Sequence, residues 1–321
     1  MQIASANIPY FLKSESNLPV PAQTRTLITE SYTLCGPQQS SCPFLFSSPH
    51  SGAEYPPEFL ARSPLDSLMI RSSEDAFVDR LFEKAPILGA PLLSARLPRA
   101  FIDLNRSAEE LDPAVIEGLE RVPHNPRISS GLGVIPRVVS GGRLIYRGKL
   151  SQREAAERIS RYWQPWHHAL QELITGTRAA LGSAVVIDCH SMPHEAIEAS
   201  PGSGSTRPQI VLGDRYGAAA GPAVMEQVEA AFSAAGLRVS RNTPFAGAYI
   251  TQAYGRPAHN IHVIQVEIDR ALYMDEKTIT PHAGFEDFAA LITGVIAKLT
   301  GAELNASLTA PDKKNPPLAA E

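Results

Sequence analysis

Two histidines stand where short apolar stretches of the sequence end. His50 lies in Ser-Pro-His-Ser-Gly, directly after the apolar residues 44–47, and His190 follows the apolar run 184–188. A neutral imidazole is the commonest metal ligand, and a catalytic zinc ion takes three protein ligands and keeps a fourth position open for water. A single histidine in such a place usually only hydrogen-bonds a turn, but two at equivalent strand ends predict one zinc site per chain.

The third ligand should be a carboxylate or another histidine, and the spacing leaves three acidic candidates open. Glu54 follows His50 by four residues, but in a loop, where that spacing does not bring the two side chains together. Glu74 and Asp75 stand at the start of a predicted helix over residues 74–85. Acids in a first helical turn are favoured by the helix dipole in any case, so their position does not choose between them.

Cationic side chains that suit an anionic substrate lie in the segment Asp103-Leu104-Asn105-Arg106 and beyond it. The planar guanidinium of Arg106 can hold a carboxylate through two parallel hydrogen bonds, and Asn105 adds amide donors. Arg137 and Arg147, in the irregular region 107–149, are further candidates for anion binding.

Glu267 lies between Val266 and Ile268 in a predicted strand. An acid in such a place is unusual unless it is paired with a cation or belongs to a site that raises its pKa. Near a catalytic zinc ion, Glu267 would take the proton of the attacking water and pass it to the departing amine. The alternative is a buried ion pair with Arg270.

The elements that must position these residues alternate along the chain. The pattern predicts strands at 44–47, 91–97, 100–104, 184–188, 208–213, 237–241, 248–251 and 261–268, and helices at 74–85, from 151 onward, at 216–235 and at 284–299. Strands that alternate with helices predict a layered α/β sheet. Ligands of open α/β sheets bind at the carboxyl ends of the strands, and His50, His190 and Glu267 lie at such ends.

Composition excludes several classes of protein. The chain has 321 residues, is 44% hydrophobic and carries a formal net charge of −4, which argues against a basic nucleic-acid binder or an anchor on anionic lipids. No apolar run reaches the ~18 residues of a membrane span, and the first residues lack the pattern of a signal peptide. Three cysteines are too few for a disulfide framework, so we expect a cytoplasmic protein.

Three regions differ in composition. Residues 1–40, rich in Ser, Thr, Pro and Gln, predict a peripheral N-terminal arm with one edge strand. Residues 41–302 predict a single catalytic α/β domain, and residues 303–321, rich in Pro, Ala and Lys, predict a flexible C-terminal tail.

At the residues described above, the chain resembles the N-formylglutamate amidohydrolase family. The similarity is carried, in order along the chain, by SSPHSGAEYP, SEDAFVDRLF, FIDLNR, GLGVIPRV, YRGKL, DCHSMP, PFAGAYITQAYGRP and VIQVEIDRALYMDE, between Ser47 and Glu276. Single pieces are weak, whereas the ordered set is specific. The family is similar to zinc carboxypeptidases and aspartoacylases.

The resemblance implies an α/β/α sandwich of three layers with a mixed sheet, phosphorylase/hydrolase-like, and one catalytic zinc ion. It implies His50, Asp75 and His190 as metal ligands, with Asp75 preferred to Glu74. It also implies Asn105 and Arg106 as the pair that grips the substrate carboxylate and Glu267 as the catalytic base.

The segment Gly247-Ala-Tyr-Ile-Thr-Gln-Ala-Tyr-Gly255, which contains the expected substrate-binding residue Thr251, departs from the family pattern. Histidine-degrading members usually carry Arg-His where this chain has Gln252 and Ala253.

These observations favour a zinc-dependent amidohydrolase that removes an N-formyl or short N-acyl group from an acidic amino acid such as N-formyl-L-glutamate. The products would be formate and the free amino acid, with Arg147 helping to hold the oxyanion. A metallocarboxypeptidase or peptide amidase is the alternative enzyme and would need a long open groove. A non-catalytic binder of carboxylate ligands is the alternative from another class.

Overall fold

A mixed sheet of eight strands forms the centre of the protein. The computed structural model describes residues 24–37, 39–120, 125–198 and 207–303. Among these residues the main sheet contains β1 (Thr24–Ile28), β2 (Tyr32–Pro37), β3 (Phe44–Ser48), β4 (Leu92–Ala95), β7 (Ala184–Met192), β8 (Ile210–Gly213), β9 (Val239–Arg241) and β10 (Ile261–Asp269). Two short hairpins lie outside it, β5 (Val138–Val139) with β6 (Arg143–Leu144) and β11 (Met274–Asp275) with β12 (Thr280–Pro281).

The strand order in the sheet is β1-β2-β4-β3-β7-β10-β8-β9. The four central strands β4, β3, β7 and β10 run parallel, whereas β2 pairs antiparallel with β4 and β8 pairs antiparallel with β10. The carboxyl ends of β3, β7 and β10 therefore meet along one edge of the sheet, next to one another.

Helices cover both faces of the sheet. They are α1 (Pro57–Arg62), α2 (Val78–Leu81), α3 (Pro126–Ser129), α4 (Gln152–Arg158), α5 (Gln164–Leu181), α6 (His194–Glu198), α7 (Pro222–Ala234), α8 (Tyr249–Tyr254) and α9 (Phe285–Thr300). One turn of π-helix, Ile159–Trp163, joins α4 to α5. None of the helices in the described ranges is both long and apolar enough to cross a bilayer.

Strand β7 shows how the sheet divides the core into two layers. Val185, Ile187 and Cys189 pack in the cluster that contains α2, α7 and α9. Ala184 and Val186 point the other way, into the cluster that contains α4, α5 and α8. This two-residue alternation, buried on both sides, makes the α/β/α sandwich of three layers that the sequence predicted.

Polar side chains near the ends of β7 and β10 lie on one of these two faces of the sheet. Asp188 and His190 follow Val186 on the α5 side of β7, and Gln265 and Glu267 follow Val263 on the same side of β10. Acidic, amide and imidazole groups therefore collect at one end of the sheet, on the face that the long loop before α4 covers.

Several predicted elements differ from the structure. The helix predicted over residues 74–85 is reduced to α2, because Phe77 adopts a left-handed conformation with φ 66° and interrupts it. Likewise, α7 begins only at Pro222, because Arg215 and Tyr216 have left-handed φ angles of 57°. Residues 100–104, predicted to be extended, form turns in which Phe101 N donates to Pro98 O.

The prediction of a strand over residues 248–251 is wrong, because these residues form the start of helix α8. The backbone N–H groups of Ala248 and Ile250 at its start donate to the side chains of Gln265 and Asn105. These two buried amides supply acceptors that the N-terminus of a helix lacks, and they outweigh the β propensity of the sequence Tyr-Ile-Thr.

The predicted N-terminal arm contributes two strands to the sheet instead of one, with β1 at the edge. Residues 1–23 of that arm lie outside the described residues, as do 304–321 of the predicted tail. The division into arm, catalytic domain and tail stays a prediction.

Candidate active site

His50, Asp75 and His190 meet at the carboxyl ends of β3 and β7. Nδ1 of His190 lies 2.9 Å from Asp75 Oδ2, and Nδ1 of His50 lies 3.4 Å from the same oxygen. All three side chains are buried, and their ligand atoms lie within 4.8 Å of one another. His50 Nδ1 has no hydrogen-bond partner among the described residues. A buried, unpaired nitrogen beside a second imidazole and a carboxylate fits a divalent metal ion with nitrogen and oxygen ligands.

The second nitrogen of each imidazole contacts a further carboxylate. His50 Nε2 lies 2.7 Å from Asp103 Oδ1, and His190 Nε2 lies 3.1 Å from Asp188 Oδ2. A carboxylate in this position holds the proton on Nε2 and leaves the lone pair of Nδ1 free, which is the usual arrangement behind a metal-binding histidine. Both rings are therefore oriented to bind a cation through Nδ1.

The charges around these rings favour a positive charge at the centre. Burial lowers the pKa of His190, but Asp188 and Asp75 outweigh it and raise that pKa well above its usual value. Burial raises the pKa of Asp75, but its contacts with His190 and His50 outweigh it and hold that pKa well below its usual value. A group of ionised acids in a buried place is stable only with a cation among them, either a proton or a metal ion.

The loop before α2 separates the two acids that the sequence left as alternatives. Asp75 N donates to His50 O, and Asp75 Oδ1 accepts a hydrogen bond from Arg270, so Asp75 is fixed beside the histidines. Glu74 points elsewhere and accepts hydrogen bonds from Tyr55 and Arg71. The structure thus brings Asp75, and not Glu74, to the histidine pair.

Glu267 lies beside this cluster, almost wholly buried, and lines the same cavity. Burial is the largest influence on its carboxyl and raises the pKa of Glu267 to about 7. Its Oε1 accepts a hydrogen bond from Gln265 Nε2 at 2.7 Å. The alternative ion pair with Arg270 is not formed, because Arg270 instead donates to Ser191 and Asp75. Glu267 is therefore an acid that can exchange a proton near neutral pH.

Asn105 and Arg106 lie on a buried loop at the bottom of the cavity. The Oδ1 atom of Asn105 accepts a hydrogen bond from Ile250 N at the start of α8, and its Nδ2 lies 3.0 Å from His190 Nε2. Arg106 donates Nε to Leu132 O and Nη1 to Asn105 O. Its Nη2 has no partner in the described part of the chain, and Arg106 lines the cavity.

The structure does not bring three of the predicted residues to the cavity. Arg147 is exposed, Arg137 donates to Asp112 Oδ2 and Ser129 O, and Thr251 donates its hydroxyl to Ala248 O within α8. The residues that line the cavity do not include them.

Sequence reasoning missed two cationic residues that do line the cavity, Arg99 and Arg127. Arg99 Nε donates to Asp103 Oδ2, the acid that also contacts His50. A signal for Arg99 was available, because Asp103 directly precedes the candidate residues and needs a cation if it is buried. Arg127 gave none, since it stands in a region without periodicity, and only the folded loop brings it to the cavity.

The cavity has a volume of about 560 Å³, within the range of small-molecule sites. Its floor is the histidine cluster with Glu267 and Arg106. The irregular region contributes residues 138–142 to the lining, and the segment before α8 contributes residues 244–248.

Comparison with known proteins agrees with this geometry. The family model described as N-formylglutamate amidohydrolase matches residues 42–274. The chain belongs to the N-formylglutamate amidohydrolase family. Its resemblance to that family and the expected α/β fold are thereby confirmed, as is the expectation of a hydrolase acting on linear amides.

Proteins named N-formylglutamate deformylase or N-formylglutamate amidohydrolase match most of this chain. An N-formylglutamate deformylase of Pseudomonas aeruginosa is 30% identical over 80% of this chain and 91% of its own length. One from Pseudomonas putida is 28% identical over 83% of this chain and 94% of its own. The crystal structure of N-formylglutamate amidohydrolase from Ralstonia eutropha JMP134 superposes with a TM-score of 0.79 at 34% identity, over 85% of this chain and 98% of that one.

The departure from the family pattern at Gln252 and Ala253 lies away from the cavity. Neither residue lines it, Gln252 is exposed, and its carbonyl accepts a hydrogen bond from Arg256.

Proposed function

We propose that the protein is a metal-dependent deformylase that hydrolyses N-formyl-L-glutamate to formate and L-glutamate. The observation that carries the proposal is the unpaired Nδ1 of His50, buried beside His190 and Asp75 on the floor of a cavity that also presents Glu267 and Arg106. A metal-ligand set, a titratable acid and a free guanidinium nitrogen in one small cavity are the parts that hydrolysis of an N-acyl amino acid needs.

In this proposal His50, His190 and Asp75 would hold one zinc ion per chain. A bound zinc ion supplies Lewis-acid chemistry, in that it polarises the acyl oxygen and lowers the pKa of water. Asp103 and Asp188 contact the Nε2 atoms of the two imidazoles and fix the orientation of the rings.

Glu267 moves the proton in this proposal. With a pKa raised to about 7 by burial, it can accept a proton from the attacking water and deliver it to the nitrogen of the departing glutamate. Gln265 holds one of its oxygens, which leaves the other for this exchange.

Arg106 holds the α-carboxylate of the substrate through Nη2 and so places the formyl carbon against the floor of the cavity. Asn105 does not bind the substrate directly in this proposal, because its amide already contacts His190 and Ile250. For the oxyanion we now favour Arg99 over Arg147, since Arg99 lines the cavity beside Asp103 and Arg147 does not.

The relatives support a deformylase rather than the alternative of a metallocarboxypeptidase or peptide amidase. Both Pseudomonas relatives are N-formylglutamate deformylases, and a cavity of about 560 Å³ accommodates a small N-acyl amino acid. A non-catalytic carboxylate binder would not need the unpaired imidazole nitrogen or a titratable Glu267. A small N-acyl amino acid in the cytoplasm is therefore the partner we expect.

The test is hydrolysis by metal-free protein with and without added zinc. We expect formate and a primary amine in equal amounts from N-formyl-L-glutamate only after metal is restored. N-acetyl-L-glutamate serves as the acyl control and a short peptide as the carboxypeptidase control. Binding of the substrate without product, at full zinc occupancy, would leave the carboxylate binder as the correct function.

A further inference from the structure

The cavity presents more cationic groups than one substrate carboxylate needs. Of the arginines in the described ranges, four line it, namely Arg99, Arg106, Arg127 and Arg270. Arg270 is committed through both Nε and Nη2 to Ser191 and Asp75, and Arg99 is paired with the buried Asp103. Arg106 and Arg127 are the two whose charge is least compensated by a close acid.

Arg127 makes one long ion pair, which leaves its guanidinium available to a ligand. Its only acidic neighbour among the described residues is Glu110, and Nη1 lies 3.9 Å from Glu110 Oε1, beyond a hydrogen bond. Its side chain is 38% exposed to solvent within the cavity wall. The backbone beneath is fixed, because the Asn125 side chain caps α3 by accepting from Arg127 N.

The two arginines are held next to each other by one loop. Leu132 accepts a hydrogen bond from Arg106 Nε through its carbonyl, and its own N–H donates to Arg127 O. Burial is the largest cause that lowers the pKa of Arg106, and the positive charge of Arg127 adds to it. Two guanidinium groups that repel each other across a small cavity are stabilised by a ligand with two negative charges.

We propose that Arg127 binds a second, side-chain carboxylate of the substrate and so makes the enzyme selective for N-acyl derivatives of dicarboxylic amino acids. This proposal rests on the proposed function and adds the residue that determines its substrate range. Arg106 takes the α-carboxylate common to all amino acids, whereas Arg127 contacts only a substrate with an acidic side chain. Positions 252 and 253, where the sequence departs from the family pattern, do not line the cavity.

The experiment compares two substrates of equal shape, N-formyl-L-glutamate and N-formyl-L-glutamine, on the zinc-loaded enzyme. For the parent protein we expect a preference in kcat/KM for the acid. In Arg127→Gln we expect kcat/KM for the acid to fall about 10- to 100-fold, on the scale of a charged hydrogen bond, and kcat/KM for the amide to change less than about 3-fold. Arg153→Gln is the matched control, because Arg153 is 87% exposed on α4.

The two substrates together distinguish failure of the role of Arg127 from failure of the proposed function. An equal loss with both substrates, or no loss with either, would overturn the role of Arg127 and leave the deformylase function intact. Turnover of neither substrate by the parent protein would overturn the function and, with it, the inference. Retained activity of Arg127→Gln on the glutamine derivative is also the check that the variant is folded.

Discussion

Glu267 lies directly opposite His190 in the parallel pairing of β10 with β7. Both residues belong to the series of side chains that faces the α5 layer, so the pleat of the sheet places an acid beside a candidate metal ligand. A shift of either strand by one residue would send one of the two side chains to the opposite face. The proximity of base and ligand is thus a property of the sheet register.

From this relationship we predict that Glu267→Gln lowers kcat by about 10²- to 10⁴-fold, the usual size of a lost general base. The amide keeps the shape of the side chain but cannot accept the proton. Zinc content and KM should change little, because Glu267 is not a proposed ligand. Steady-state kinetics together with metal analysis provide the check, and a variant that turns over normally or loses its zinc would refute this mechanism.

The zinc content of variants distinguishes the roles of the two adjacent acids, Asp75 and Glu74. We predict that Asp75→Asn and His190→Ala each lose zinc and activity together, since each removes one of three ligands. Glu74→Gln is the matched control and should keep a full complement of zinc, because Glu74 contacts Tyr55 and Arg71. Zinc per chain, measured by elemental analysis after dialysis, decides between them; zinc lost from Glu74→Gln but kept by Asp75→Asn would reverse the assignment.

The contrast between these two acids shows what the sequence could predict. Long apolar runs such as β7 and β10 have a regular period, so the strands and the polar residues at their ends, His190 and Glu267, were correctly placed. The choice between Glu74 and Asp75 depends on the backbone hydrogen bond from Asp75 N to His50 O, which joins residues far apart in the sequence.

The irregular region between β4 and α4 was the least predictable for the same reason. Arg147 and Arg127 lie in equally aperiodic sequence, and only long-range contacts such as that between Leu132 and Arg106 decide which arginine reaches the cavity. Helix α8 was missed because its first N–H groups bond to Asn105 and Gln265, far away in the sequence.

Arg106 should act on the substrate carboxylate rather than on the fold alone. We predict that Arg106→Ala costs ~2–4 kcal/mol of transition-state stabilisation with N-formyl-L-glutamate, the scale of a broken charged pair. The loss should shrink for a substrate whose α-carboxylate is amidated. Arg147→Ala is the control and should leave kcat/KM unchanged. Equal losses with both substrates would assign Arg106 a structural role.

Trp163 positions the loop that carries Arg106. It lies in the π-turn before α5, and its Nε1 donates to Arg106 O at 2.8 Å. We predict that Trp163→Phe raises KM about 2- to 10-fold, the value of one hydrogen bond, with little change in kcat. Tyr162→Phe, in the same turn, is the control. A fall in kcat at constant KM would show that Trp163 does not act through substrate binding.

His167 contacts the same loop, and its titration makes the free energy of unfolding depend on pH in the acid range. Its Nε2–H donates to Leu104 O, and Nδ1 accepts from the Tyr254 hydroxyl. Burial lowers the pKa of His167 to about 3, below its ordinary 6.5. Below about pH 6.5, His167 therefore binds a proton in the unfolded chain but stays neutral in the folded protein. Because of this difference, the contribution of His167 lowers the free energy of unfolding as pH falls from 6.5 toward 3.

We predict that this loss disappears in His167→Asn, whose side chain does not titrate. Relative to its own value at pH 7, the parent protein should lose roughly 2–3 kcal/mol more than the variant by pH 4.5, given 1.36 kcal/mol for each pH unit between the two pKa values. Urea unfolding across this range measures the difference. His168→Asn is the control, because His168 is 75% exposed and should leave the pH dependence of the parent unchanged. Parallel curves for the parent and His167→Asn would mean that His167 becomes protonated in the folded state, and that the hydrogen bond from Tyr254 does not hold it neutral.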